Sequence, residues 1–418
     1  MKTIVLGAGV IGVTTAYYLA REGHHVTVVE RRGEVGQEAT GGNAGLIAPG
    51  HSFAWASPGA PRMLLKSLSG EATALRVKPS LDPRFAWWGM QFLRECTPTR
   101  ARVNTLIKLK LCQYSQIELD KLAARESIDF QQVDRGAFYL YRDERELELG
   151  VAKMELLREH GLHMDALAPE DLVRLDPAFK SAQGVLAGAI HTESDASGNS
   201  ELFTKVLAER CRDLGVEFRL STAARRLVVN GSRVSSVETD QGILTADYFV
   251  LALGVHSPFL SRTAGQRLPI YPAKGYSLTV PINDPQKAPT VPGVDEKTLV
   301  AWSRMGDHLR MSSTAEFAGY SREWKPSDLA NILSAAKDLF PAAANWDDHT
   351  ARSCLRPMTP DGPPIVGRGK HDNVYYNTGH GHMGWTMACG SSRIVADQML
   401  GRPPAIDTTG MRVRAFRR

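Results

Sequence analysis

The first thirty residues, "MKTIVLGAGVIGVTTAYYLAREGHHVTVVE", constrain the fold more than any other stretch. "TIVLG" is an unbroken apolar run, as expected of a parallel strand covered on both faces. From Val10 to Arg21 the apolar positions fall at helical spacing, Gly23 closes that helix, and "HVTVVE" is a second strand. Between the first strand and the helix lies Gly7-x-Gly9-x-x-Gly12. Gly7 permits the tight turn, Gly9 lets backbone approach a pyrophosphate, and Gly12 allows helix and strand to pack closely. The helix N-terminus offers N–H groups and a positive dipole end to phosphates. Glu30, closing the second strand, is placed to accept a hydrogen bond from a ribose hydroxyl. This order of parts predicts a dinucleotide site and leaves open which dinucleotide it holds.

The next segment, "RRGEVGQEATGGNAGLIAPGH", has no helical pattern. A nicotinamide-binding half would proceed to another helix and strand. Small residues mixed with apolar ones suit instead a ligand that is longer and ends in a planar group. Near the other terminus, "YYNTGHGHMGWTMACG" (residues 375–390) is the second glycine-rich region. His380 and His382 have no carboxylate or thiolate at the usual ligand spacing, so no metal is expected.

A chain of 418 residues is long for one core and suggests two domains. The expected fold class is α/β, a Rossmann-like cofactor domain of parallel sheet plus β-meander. It is interleaved with an α+β substrate domain built on an antiparallel sheet. Residues 1–52, 185–265 and 345–418 are assigned to the first, and 53–184 and 266–344 to the second. Residues 53–184 read largely helical, with "RVNTLIKLKLCQYSQIELDKLAARE" the longest periodic stretch. The meander turns at Asn230-Gly231 and Gln241-Gly242, and "DYFVLALG" is expected to rejoin the parallel sheet. From "RLPIYPAKGYSLTVPI" to "LRMSSTAEFAGY" the chain alternates like an antiparallel sheet able to roof a cofactor.

Hydrophobic content of 43%, charged content of 23% and a net charge of +5 are ordinary for a globular enzyme. Basic residues are dispersed, which argues against a nucleic-acid partner. The exception is the tail "MRVRAFRR", which reads as solvated or as a contact for an anionic membrane surface. Five cysteines (96, 112, 211, 354 and 389) form no CxxC pair, so neither a disulfide framework nor structural zinc is expected, and a reducing cytoplasm fits. The start lacks the apolar stretch and cleavage site of a signal peptide, and no window approaches eighteen apolar residues. "RFAWWGMQFLREC" places Phe85, Trp88, Phe92 and Leu93 on one helical face between Arg84 and Arg94. That pattern fits a bilayer interface or a buried core helix.

With these parts placed, the chain resembles the FAD-dependent amino-acid oxidoreductases of the D-amino acid oxidase and glycine/sarcosine oxidase superfamily. Within it the likeness is to the D-amino acid dehydrogenase small-subunit family. It rests on "VLGAGVIGVTTAYYLAREGHHVTVVER", "GGNAGLIAPG", "YPAKGYSLTVPI", "LRPMTPDGPPIVGR" and "NTGHGHMGWTMACG", and so covers essentially the whole chain. The resemblance implies FAD as cofactor. It implies contacts from Gly7, Gly9, Val10, Ile11, Gly12, Glu30 and Arg31, and from Thr40, Gly42, Asn43, Gly45 and Leu46. Further contacts are implied from Ala224 and Gly254, and from Gly381, His382, Met383, Gly384, Trp385 and Thr386. The last group would wrap the flavin ring, where fixed N–H donors stabilise charge on the reduced form.

It further implies that Arg356 clamps a substrate carboxylate, against the alternative of pairing with Asp361 in its turn. Tyr276 would meet the same carboxylate or pack in the sheet, and His51 and Lys274 are further candidates. Cys354 lies near the position where some relatives attach flavin, though it reads more simply as a small buried thiol. The implied reaction is oxidation of a D-amino acid to a 2-oxo acid and ammonia. Electrons would pass to a respiratory quinone or another non-oxygen acceptor, at loose contact with the cytoplasmic face of the inner membrane. The alternatives are a sarcosine/glycine-type oxidase using oxygen and a D-hydroxyproline dehydrogenase.

Overall fold

A computed structural model describes residues 1–68, 75–78 and 80–413. The opening βαβ unit forms as expected: strands Lys2–Leu6 and His25–Val29 pair in parallel, joined by helix Val10–Arg21. They belong to a six-stranded sheet whose order is Ile365–Arg368, Val374–Thr378, Tyr248–Leu251, Lys2–Leu6, His25–Val29, Glu217–Arg219. All pairings are parallel except that between the first two strands. "DYFVLALG" does rejoin this sheet, with Phe249 opposite Ile4. Continuous apolar runs make sense here because both faces are covered. One face carries helices Val10–Arg21, Ser200–Asp213 and Gly384–Met399, packed through Tyr17, Leu207 and Val395. The other carries the meander Ala224–Asn230, Arg233–Thr239 and Gly242–Thr245, whose Leu227 and Val237 meet Ile4, Leu6 and Phe249.

The second sheet has nine strands and is mostly antiparallel, centred on Tyr271–Pro281 between Thr350–Met358 and His308–Phe317. The central strand does not alternate between buried and exposed; nearly all of it is buried. One face holds Tyr276 and Leu278 against helix Ala330–Leu339 through Ile332 and Leu339. The opposite face looks toward the cofactor domain.

Strand and helix packing depart from the expected boundaries in three places. Gly188–Thr192 and Thr350–Met358 pair in the antiparallel sheet, although both fall inside the expected cofactor-domain segments 185–265 and 345–418. Helix Pro98–Glu126, assigned to the substrate domain, packs on Gly384–Met399, and its Leu111, Cys112, Leu119 and Leu122 share a core with Tyr17 and Trp385. Helical periodicity shows which residues are buried; it carries no information about the surface that buries them.

The aromatic helix Pro83–Glu95 settles the choice left open by its sequence. Trp88 and Phe92 are buried, and the Trp88 indole donates to the Met358 carbonyl at 2.9 Å. Phe85 and Trp88 pack on Tyr271 and Phe317, so this face is a core face and not a bilayer interface; only Leu93 of the four points outward. Trp88→Ala should therefore lower folding stability by about 3–5 kcal/mol, read as a shift in the denaturant midpoint. No helix among the described residues is long and apolar enough to cross a membrane. The last residues of the basic tail, 414–418, lie outside the described residues.

Candidate active site

A cavity of about 570 Å³ runs between the two sheets. At one end it is lined by Gly7, Gly9, Val10 and Ile11, and by Glu30 and Arg31. Helix Val10–Arg21 has no side-chain N-cap of its own; the hydroxyl of Thr40, from the glycine-rich loop, accepts from the Val10 N–H at 3.0 Å. The Glu30 carboxylate accepts from Ala8 N–H at 2.9 Å and Arg32 N–H at 2.8 Å, which fixes the turn and orients the carboxylate. Arg31 and Arg32 both pair with Glu38 at the rim. Ala224 and Gly254 complete this end.

Along the middle runs the glycine-rich loop, through Gly42, Asn43 and Leu46. Its conformation is set by hydrogen bonds from the second sheet: Arg310 and Arg352 both donate to the Gly41 carbonyl, at 2.8 and 3.0 Å. A Cβ at Gly42 would sit 2.9 Å from the Cβ of Cys354, so the two walls touch only because residue 42 has no side chain. The Thr386 hydroxyl accepts from Ala48 N–H at 3.2 Å and ties this loop to the C-terminal helix.

The far end is built by Gly381, His382, Met383, Gly384, Trp385 and Thr386, where a short 3₁₀ turn opens helix Gly384–Met399. That helix also lacks a side-chain N-cap. The His382 ring stacks on Trp55 at 5.0 Å between centroids, and its Nε2 is buried without a partner. Burial holds His382 well below the usual imidazole range and pushes His380 down to about 3, so both rings are neutral. His380 is instead committed to the Ser391 hydroxyl at 3.0 Å.

Arg356 enters the same cavity from strand Thr350–Met358. Its Nη1 donates to the Thr314 carbonyl and its Nη2 reaches the Ser312 hydroxyl at 3.4 Å. Thr314 holds a φ of +65°, strained for a β-branched residue, beside the register irregularity at 274–276 of the neighbouring strand. Across the sheet lies Gly275, where any Cβ would overlap the Arg356 guanidinium itself. Burial works against the charge of Arg356, but a guanidinium remains protonated, so the cavity wall holds a fixed cation with donors to spare.

Four of the expected site residues do not line this cavity. Gly12 lies behind it, where a Cβ would overlap the Gly7 carbonyl oxygen, so its role is packing. Gly45, at φ +92°, approaches Ser303, and a Cβ there would sit 2.6 Å from its hydroxyl. Tyr276 donates to Glu316 at 2.7 Å within the core of the second sheet. Lys274, on the same face, donates to the Glu323 carbonyl at 3.0 Å and lies 4.0 Å from Glu316. Burial alone would raise the Glu316 carboxyl, but Lys78 and Tyr276 more than offset it and hold it below the usual range. The even-numbered residues of Tyr271–Pro281 therefore face away from the cavity, and neither Tyr276 nor Lys274 is placed to meet a ligand there.

His51 does line the cavity, while Trp55, Thr222 and His256 are lining residues that sequence reasoning passed over. His256 is pushed down to about 4 by burial and by Arg31. Its signal was its place two residues after Gly254; Trp55 is a lone aromatic and gave none.

These residues fit FAD. One end offers a helix N-terminus and an oriented carboxylate for phosphate and ribose, and the other a glycine-rich wall that a flat ring can approach. The profile of the FAD dependent oxidoreductase (DAO) family matches residues 2–398. The "D-amino acid dehydrogenase 2" of Mesorhizobium japonicum is 41% identical over 98% of this chain and 99% of its own length. The "D-amino acid dehydrogenase" of Paramagnetospirillum magneticum is 42% identical over 100% and 99%. Among solved structures, glycine oxidase from Geobacillus kaustophilus superposes with a TM-score of 0.78 at 20% identity, covering 100% of this chain and 99% of that one. L-proline dehydrogenase from P. horikoshii gives 0.75 at 16% identity, over 99% and 96%. At such identities these two establish the fold alone. With a family match from the first strand to the last helix, the chain belongs to the FAD-dependent oxidoreductase family.

Proposed function

We propose that this protein is a D-amino acid dehydrogenase. The observation that carries the reading is Arg356, a fixed cation in the wall of an otherwise largely apolar cavity that also holds the flavin-end loop. It rests as well on full-length relatives that bear that name. Bound FAD supplies the acceptor for the hydride of the substrate's α-carbon. The protein's part is orientation. Arg356 takes the carboxylate through its guanidinium fork and thereby fixes the α-carbon. Trp55 and the neutral His382 cover the ring end of the cavity and keep water from it. The substrate amine has to lose its proton before hydride leaves, so reduction should quicken from neutral toward alkaline pH.

The electron acceptor in this reading is a respiratory quinone or another non-oxygen acceptor. Contact with the cytoplasmic face of a membrane would use exposed residues on the outer sides of two helices. These are Met63 and Leu65 beside Arg62 and Lys66, and Met90 and Leu93 beside Arg94. The test is anaerobic mixing of the yellow protein with a panel of D- and L-amino acids, glycine and sarcosine. Bleaching by D-amino acids, and reoxidation faster by a quinone analogue than by oxygen, is the expected result. Bleaching only by glycine or sarcosine with fast reoxidation by oxygen would replace the dehydrogenase reading with an oxidase.

A further inference from the structure

His51 is held more firmly than a lining residue needs to be. Its ring stacks on Tyr139 at 5.5 Å with 9° between planes, and meets the His382 ring edge-on at 5.9 Å. Its Nε2 lies 3.4 Å from a carboxylate oxygen of Glu296. Tyr139 is itself fixed by its hydroxyl donating to the buried Asp195, and Asp195 accepts from the Gly50 N–H at 2.9 Å. The residue before His51 and the residue under its ring are thus tied to one carboxyl group.

With Nε2 directed at Glu296, the proton of the neutral ring belongs on Nε2 and the lone pair on Nδ1. Nδ1 has no hydrogen-bond partner among the described residues and is not one of the buried polar atoms lacking one, so it remains accessible in a residue that lines the cavity. Other bases in the cavity wall are spent or remote. Glu30 holds two backbone N–H groups, Glu38 pairs with Arg31, Arg32 and Arg322, and His256 lies with Arg31 at the opposite end. His380 is bound to Ser391, and burial keeps His382 from taking a proton.

We propose that His51 accepts the proton of the substrate's ammonium group, with Glu296 orienting the ring and stabilising the imidazolium. This rests on the cavity taking an amino acid. The N–H bond of R–CH(NH3⁺)–COO⁻ breaks, its electron pair stays on the substrate nitrogen, and the proton bonds to Nδ1. The neutral amine that remains can give up hydride from its α-carbon, and the imidazolium later returns its proton to solvent.

The charges around the ring allow this. Glu296 faces it from the loop after strand Gly293–Asp295; burial would raise that carboxyl, but the His51 hydrogen bond and the charge of Lys153 bring it below the usual carboxylate range. Tyr139, from strand Ala137–Tyr141, stays neutral because burial and Asp195 raise it far above the working range. Tyr141 is likewise raised by burial and by Glu296. Two cations oppose the imidazolium. Lys153, from helix Glu144–Arg158, lies over the Phe53 ring at 4.0 Å, and Lys108, from helix Pro98–Glu126, donates to the Phe53 carbonyl at 2.8 Å. Glu296 lies within 3.4 Å of the His51 ring and orients it, as a carboxylate does for a catalytic imidazole elsewhere.

The experiment is anaerobic flavin reduction by one D-amino acid across pH 6–10, for wild type, His51→Gln and Glu296→Gln. His51→Gln should lose at least tenfold of the limiting reduction rate near pH 7, and its rising limb should move at least one pH unit toward alkaline. The loss should shrink at high pH, where free amine binds without help. Glu296→Gln should show a smaller displacement in the same direction. Far-UV circular dichroism and the thermal midpoint of His51→Gln should match wild type and serve as the check of folding. A rate lowered equally at every pH, or a profile identical to wild type, would overturn the proposal. Failure of the D-amino acid reading shows separately, as wild-type flavin bleached only by another amine of the panel. The pH comparison then runs with that amine and decides the role of His51 by the same outcomes.

Discussion

Gly9→Val should give a folded, colourless protein, and Gly12→Val should give little folded protein at all. Both glycines belong to one motif, yet their surroundings differ. A Cβ at Gly9 would meet only the Thr40 hydroxyl, at 3.3 Å, and residue 9 lines the cavity. A valine there intrudes on the space of the cofactor and leaves the protein's own packing nearly intact. At Gly12 the Cβ would overlap the Gly7 carbonyl, and Gly7 is itself confined: it holds φ +106°, and a Cβ there would sit 2.6 Å from the Ala252 carbonyl. Neither backbone can give way, so the helix must leave the sheet, at a cost comparable to the whole stability of a domain. The measurement is a pair for each variant, thermal unfolding followed by circular dichroism and flavin absorbance after saturation with FAD. Flavin absorbance retained in Gly9→Val would show that the dinucleotide does not pass over that residue.

Arg356→Ala should raise the substrate concentration for half-maximal flavin reduction at least 100-fold, about 2.7 kcal/mol. Two charge-assisted hydrogen bonds at about 1.5–3 kcal/mol each make that a low figure. Arg356→Lys should recover only part, because an ammonium cannot reproduce the fork. A second variant approaches the same group from behind. In Gly275→Ala the new methyl would occupy the place of the guanidinium, and the arginine must move by about 1 Å or more. Reduction should weaken at least tenfold while the charge and the residue at 356 remain. Unchanged kinetics in both variants would remove Arg356 from the site.

How much of this was legible in the sequence depends on what each residue's role demands of its neighbours. The βαβ unit and the two glycine regions could be read because a Cβ has no room at Gly7 and Gly12, against backbone carbonyls, or at Gly42, against the Cβ of Cys354. Tyr276 and Lys274 were misplaced for a different reason. Strand spacing groups residues 274, 276 and 278 on one face, but both faces of Tyr271–Pro281 are buried, so polarity could not tell which meets the cavity. Gly275 marked the correct face, opposite Cys354 in register and against the Arg356 guanidinium. The aromatic face of Pro83–Glu95 was ambiguous in the same way, because an interface helix and a core helix share a pattern. Trp55 and His256 act through positions brought together only by the tertiary fold.

The parallel sheet joins distant parts of the chain: Lys2–Leu6 lies two places from Val374–Thr378, with Tyr248–Leu251 between them. During synthesis the first βαβ unit emerges early but waits for nearly the entire chain before its neighbour two places away exists. The glycine wall at residues 381–386 arrives later still. Until then the apolar faces of Lys2–Leu6 and Val10–Arg21 lack the helix Gly384–Met399 that covers them. Closing this sheet therefore takes contacts between strands far apart in sequence, the kind of pairing that slows folding and leaves unpaired strands exposed to wrong partners.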